Sequence, residues 1–215
     1  MIVGGRNLTD PPVPTRVTIR ADDVGVADID APPGGFLQFL NLAESSSVPM
    51  ASDRYVRLTL RASPPGRVAI EQFDASGARP MLGFGRGWHE QEFNPATGLR
   101  WRWSSQSGEI HVHAPAGALL RLDGESPLKY YSRPSRLIVR RAGRAIADQM
   151  ISSDFSLAVP ITPGPVGDDA GDASSFIITV ETDQTYVPGE RSRRTGDRRR
   201  LGLRIFRCEL RGPAS

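Results

Sequence analysis

Tyr55-Val56-Arg57-Leu58-Thr59-Leu60-Arg61-Ala62 alternates apolar and polar side chains without a break. A period of two places Val56, Leu58 and Leu60 on one face of an extended chain and Arg57, Thr59 and Arg61 on the other. That pattern predicts a strand covered on one side only. Phe176-Ile177-Ile178-Thr179-Val180-Glu181 keeps the same inward set 120 residues later. The offset holds upstream, where Val17-Thr18-Ile19-Arg20 aligns with Leu137-Ile138-Val139-Arg140 (137 − 17 = 120) and Ala27-Asp28 with Ala147-Asp148. Residues 14–62 therefore match residues 134–182, and an internal repeat bounds the architecture before any motif is read.

Each copy reads as a hairpin followed by further strands. The hairpin tips fall at Asp22-Asp23 and Ala142-Gly143, and the next strands at Phe36–Leu40 and Phe155–Val159. The last strand of each copy is expected at Val68–Phe73 and Leu201–Phe206, where the offset has grown to 133 because Thr185–Arg199 is inserted in the second copy. Ahead of the second copy lie further alternating runs around Trp88-His89, Leu99–Trp103, Ile110–His113 and Leu119–Leu122, while Asp123-Gly124-Glu125-Ser126 reads as a turn. No helical periodicity interrupts this series. The expectation is an all-β chain of tandem antiparallel β-sandwich units, jelly-roll-like, with domains over residues 1–80 and 81–215. Residues 84–211 would make a complete unit of about eight strands. The first unit is expected to be incomplete, its counterparts of Trp88–Lys129 lying before Met1, so that the chain reads as a piece of something larger.

Composition narrows the function classes. With 215 residues and 39% hydrophobic content the chain can bury a core. No apolar run approaches the ~20 residues that span a bilayer, and the first residues lack the apolar stretch of a secretory signal. A net charge of +3 is too small to argue for nucleic acid, which is not expected as a partner. The one cysteine, Cys208, excludes an intrachain disulfide, and Lys129 is the only lysine.

Three groups of residues carry possible chemistry. Trp88, Trp101 and Trp103 are all the tryptophans of the chain. They could stack on sugar faces or pack in a core, and the two-residue spacing of Trp101 and Trp103 favours the core for that pair. His111 and His113 share a strand face, but a third metal ligand would have to come from His89, Glu90 or Glu92, and nothing sets that geometry. The insertion carries Arg191, Arg193, Arg194, Arg198, Arg199 and Arg200 among Glu190 and Asp197. It reads either as an anion grip or as a solvated loop ordered by an Asp197–arginine pair. No nucleophile elbow, phosphate loop or facing pair of carboxylates is recognisable, and Gly83-Phe84-Gly85-Arg86-Gly87 does not fit the strand-to-helix frame of a dinucleotide site. No catalytic residue, cofactor or metal is assigned. The ligand-binding candidates are Trp88, His89, Glu90, Arg193, Arg194, Arg198 and Arg199.

Gly87-Trp88-His89-Glu90-Gln91-Glu92, Leu99-Arg100-Trp101-Arg102-Trp103-Ser104 and Thr185-Tyr186-Val187-Pro188 with Asp197-Arg198-Arg199-Arg200-Leu201-Gly202-Leu203-Arg204 resemble one known setting. It is an extracytoplasmic β-sandwich region attached to bacterial membrane glycosyltransferases of the dolichyl-phosphate-mannose–protein mannosyltransferase type. The resemblance implies a non-catalytic accessory module of the bacterial envelope, membrane-associated in its full-length context. Its partners would be a glycan, an anionic envelope polymer or the transferase itself. The alternatives are a C-terminal fragment of such a transferase, whose catalytic acidic residues lie in a membrane part elsewhere, and a structural interaction domain without a ligand.

Overall fold

The computed structural model describes residues 1–22, 24–40, 55–75, 80–115, 117–161, 174–192 and 195–212. Asp23 at the first hairpin tip, and Arg193 and Arg194 of the insertion, lie outside the described residues. The chain is all-β and sandwich-like, and it divides into two compact units, residues 1–77 and 78–215.

Among its described residues the first unit has six strands: β1 (Ile2–Asn7), β2 (Thr15–Ala21), β3 (Val24–Ala31), β4 (Gly34–Phe39), β5 (Leu58–Ala62) and β6 (Val68–Asp74). They form two three-stranded antiparallel sheets, ordered β4-β1-β6 and β3-β2-β5. Val3, Val17, Ile19, Ile29 and Phe36 meet between the sheets as the core.

The described residues of the second unit form ten: β7 (Met81–Phe84), β8 (Trp88–Phe93), β9 (Arg100–Ser104), β10 (Ser107–Ala114), β11 (Leu119–Glu125), β12 (Ser135–Arg141), β13 (Arg144–Ile151), β14 (Asp154–Pro160), β15 (Ser174–Thr182) and β16 (Arg204–Arg211). Its five-stranded sheets are ordered β13-β12-β15-β10-β7 and β14-β11-β16-β9-β8. Ile110, Leu120, Leu122, Leu137 and Ile178, all 0% exposed, fill the space between them. Outward residues alternate with these, so His111 and His113 face away from the core on β10. His111 lies 3.5 Å from Glu109, and His113 shares a hydrogen bond with Ser175.

The pairing registers of the two units correspond. Val17 pairs with Ala62 and Ile19 with Leu60, while 120 residues on Leu137 pairs with Thr182 and Val139 with Val180. The β2–β3 hairpin shifts register between Ile19 and Arg20, and the β12–β13 hairpin between Val139 and Arg140. A polar pair sits under each sandwich at matching places, Asn7 with Thr15 and Ser126 with Ser135, all four buried.

Three readings of the sequence change. The opening residues form β1, the central strand of its sheet, and β1 corresponds to β11. Among the described residues it is therefore β7–β10 that lack counterparts in the first unit, not the whole span Trp88–Lys129. Four consecutive buried residues, Ile2 to Gly5, show no alternation, and the paired glycines read as a breaker. The supposed turn at Asp123-Gly124 is a bulge in β11, matched by a bulge at Gly4-Gly5 in β1. Glycine is required at both places: a Cβ on Gly5 would lie 1.9 Å from the Ala69 carbonyl oxygen, and one on Gly124 2.5 Å from that of Arg204. The final strand begins at Arg204 rather than Leu201, because Leu201 is bonded to Tyr186 at the base of the insertion.

Candidate functional site

Trp101 and Trp103 project from the same face of β9, away from the main core. Trp103 is 7% exposed and joins Tyr186 and Leu201 in a separate buried cluster, with Trp101, Tyr130 and Tyr131 packed around it. Tyr186 meets Trp103 edge-on at 6.0 Å, and Tyr130 stacks on Tyr186 at 4.2 Å and 24°. Such pairings add to area burial through the ring quadrupoles. Burial, with Tyr130 beside it, pushes the Tyr186 hydroxyl up to about 12.

Trp101, Trp103, Tyr130 and Tyr186 line a concave pocket of about 610 Å³. Polar side chains fixed by one another form its rim. The Trp101 indole donates to Glu92 Oε2 at 2.9 Å. Arg199 donates to Glu92 Oε1 at 2.8 Å and to both oxygens of Asp197 at 3.0 and 2.7 Å. The hydrogen bond from Arg199 holds the Asp197 carboxyl below the usual carboxylate range. Arg204 pairs with Glu125 at 2.6 Å and spreads its guanidinium 5.2 Å from the Trp101 ring centre. Arg204 Nε is buried there without a hydrogen-bond partner. Exposed Lys129 lies over the Tyr130 ring at 4.9 Å.

The insertion delivers one wall. Tyr186 and Leu201 exchange backbone hydrogen bonds of 2.9 and 2.8 Å and close its base. A single turn, α1 (Pro188–Arg191), then folds back so that the Gly189 amide donates to the Asp197 carbonyl at 2.8 Å. Asp197 and Arg199 are thereby set against Glu92 of β8. Across Tyr130 lies a second hollow of about 580 Å³, lined by Asp183, Gln184, Arg191 and Arg200 among others.

No protein-family model and no curated protein matches this chain.

Few of the residues singled out from sequence line the aromatic pocket. Trp88 packs against the main core of the second unit, its indole donating to the Glu109 carbonyl at 2.8 Å and its ring covering Gly108. His89 Nε2 sits 3.1 Å from the Arg200 carbonyl and 3.3 Å from Ser105 Oγ. Glu90 and Arg198 are exposed. Arg199 does line the pocket, but two carboxylates already hold it, which is the turn-ordering role weighed for the insertion. Among the described residues no group of three or more histidine, cysteine, aspartate or glutamate side chains could hold a metal ion. Tyr130, Tyr131 and Tyr186 were not foreseen. The aromatic run Tyr130-Tyr131 beside the sole lysine was the available signal.

Proposed function

We propose that this chain is a non-catalytic binding module that holds a saccharide in the aromatic pocket of its second unit. The observation that carries the reading is the placement of Trp101, Trp103, Tyr130 and Tyr186 outside the main core, around a hollow rimmed by oriented carboxylates and guanidinium groups. Sugar rings present apolar C–H faces to aromatic surfaces and hydroxyls to fixed polar groups, which is the division of labour found here. The rim does not suit glycoside cleavage. That chemistry needs a carboxylic acid kept protonated beside a second free carboxylate. Here Asp197 is held in its anionic form, Glu92 shares the same arginine and Glu125 pairs with Arg204. As part of the same proposal the module acts beside a bacterial envelope glycosyltransferase, outside the cytoplasm, a reading that rests on the motif resemblance alone. Among the described residues no helix is long and apolar enough to cross a membrane. Exposed Arg191, Arg198 and Arg200 on the insertion favour an acidic polysaccharide as the second reading.

The test pairs two variants with a panel of neutral and uronic-acid oligosaccharides, followed by calorimetry. Trp101→Ala is expected to keep the fold and abolish binding. Trp103→Ala, at a buried position, is expected to lose about 3–5 kcal/mol of stability. Undiminished saccharide binding by Trp101→Ala would refute the pocket as the site.

A further inference from the structure

Two hollows of the second unit meet at Tyr130, and they differ in charge. The aromatic one balances its ionised groups, with Glu92, Glu125 and Asp197 standing against Lys129, Arg199 and Arg204. The hollow of about 580 Å³ on the other side carries two arginines, Arg191 and Arg200, and a single carboxylate, Asp183. That carboxylate is already engaged. Arg133 donates to its Oδ2 at 2.6 Å and the Arg136 amide to its Oδ1 at 2.7 Å. Arg191 and Arg200 have no carboxylate partner among the described residues. Both stand on fixed backbone. Arg191 ends the turn α1, which the bond from the Gly189 amide to the Asp197 carbonyl folds back. Arg200 precedes Leu201 at the closed base of the insertion, and its guanidinium donates to Thr185 Oγ1 at 3.3 Å.

We infer that the second hollow is a subsite for the carboxylate of a uronic acid, so that the bound glycan is an acidic oligosaccharide lying across Tyr130 into both hollows. This rests on the saccharide reading of the aromatic pocket and adds the class of the neighbouring sugar. One side chain divides the two hollows, so adjoining sugar units reach both. Apolar sugar faces and hydroxyls suit the charge-balanced aromatic side. An anion suits the other side, where planar guanidinium groups match a carboxylate. Two arginines less Asp183 leave that lining with one net positive charge, which suits a single negative charge better than a doubly charged phosphate. Arg198 is exposed on the same insertion but lines neither hollow, so it stands outside this subsite.

The probes are trisaccharides of galacturonic, glucuronic and mannuronic acid, each as the free acid and fully methyl-esterified, titrated calorimetrically into the full chain. Esterification removes the charge and keeps the sugar ring. In at least one series the acid is expected to bind about three- to tenfold tighter than its ester, and the advantage to shrink as salt rises. Arg191→Gln/Arg200→Gln should bring the acid down to its ester and leave the ester's affinity as it was. Arg144→Gln/Arg211→Gln removes the same charge from exposed arginines that line neither hollow, and should keep the advantage. Equal binding of acid and ester, with both lost in Trp101→Ala, would overturn the subsite and leave the aromatic pocket standing. So would an acid preference that survives Arg191→Gln/Arg200→Gln, or one that Arg144→Gln/Arg211→Gln also removes. Stronger competition by inorganic phosphate than by acetate at equal concentration would make a doubly charged group the occupant and overturn the carboxylate assignment. Binding of neither form in any series would overturn the aromatic-pocket reading and the subsite together.

Discussion

Ala142 holds φ at +48° and Gly143 at +76°, the two left-handed residues of a two-residue hairpin loop between β12 and β13. That turn twists with its strands but strains an alanine Cβ. The counterpart, Asp22 at φ +50°, is a residue that tolerates the region, and its carboxylate accepts the Arg57 amide at 3.1 Å. Ala142→Asn is therefore expected to raise stability by about 0.5–1 kcal/mol, read from the urea midpoint of the second unit. An unchanged or lower midpoint would contradict the strain. Tyr186 sets an alkaline limit. Its hydroxyl ionises near 10 in an unfolded chain and at about 12 in the fold. The neutral form is the one the fold prefers, so this contribution is complete below pH ~10 and fades as pH rises toward 12, on the order of 2 kcal/mol in all. Tyr186→Phe should flatten that part of the stability–pH curve. At this scale the sequence told unevenly. The spacing of Trp101 and Trp103 exposed their shared face. Tyr130, Tyr131 and Tyr186 meet only through the fold, and residues so far apart carry no periodic signal.

Among the elements, the insertion changes most from expectation. Its arginines were candidates for gripping an anion, yet Arg199 serves to pin the loop to β8 through Glu92 and Asp197. Arg199→Met leaves those two carboxylates facing each other. The pair is partly exposed, so the expected loss is about 1 kcal/mol. The local effect should be clearer, with faster hydrogen exchange at the Gly189 and Leu201 amides and weakened saccharide binding. Unaltered exchange at both amides would show that the loop is held by its backbone bonds alone. Strands with one wet face, such as β2 and β12, were legible because burial alternates along them. β1 was not, since it is buried on both sides and contains two glycines. The start of β16 was misplaced because an apolar residue, Leu201, serves the loop base instead of the sheet.

For the whole molecule, the two units differ in how completely their cores are closed. Among the described residues, seven buried ones form the first core and fifteen the second. The first should be the less stable, since less apolar surface leaves water on folding. All three tryptophans lie in the second unit. Tryptophan fluorescence therefore follows that unit alone, whereas far-ultraviolet circular dichroism follows both. On heating, the dichroism change is expected to begin several degrees before the fluorescence change. Coincident curves would mean that the chain unfolds as one cooperative body. The offset of 120 residues was legible from the sequence because inward sets must match for equal registers. The number of strands in each unit was not, because short strands with Gly-rich or charged edges lack a clear period.

The single lysine at the pocket mouth has a practical bearing. Reagents that attack side-chain amines have one target in this chain, and it stands beside Tyr130. Coupling the protein to a sensor surface through that amine would press the hollow against the support and mask its occupancy. The same uniqueness offers a spectroscopic opportunity: a small environment-sensitive dye placed on Lys129 would sit at the entrance without any engineered residue, and its emission would report directly on what enters.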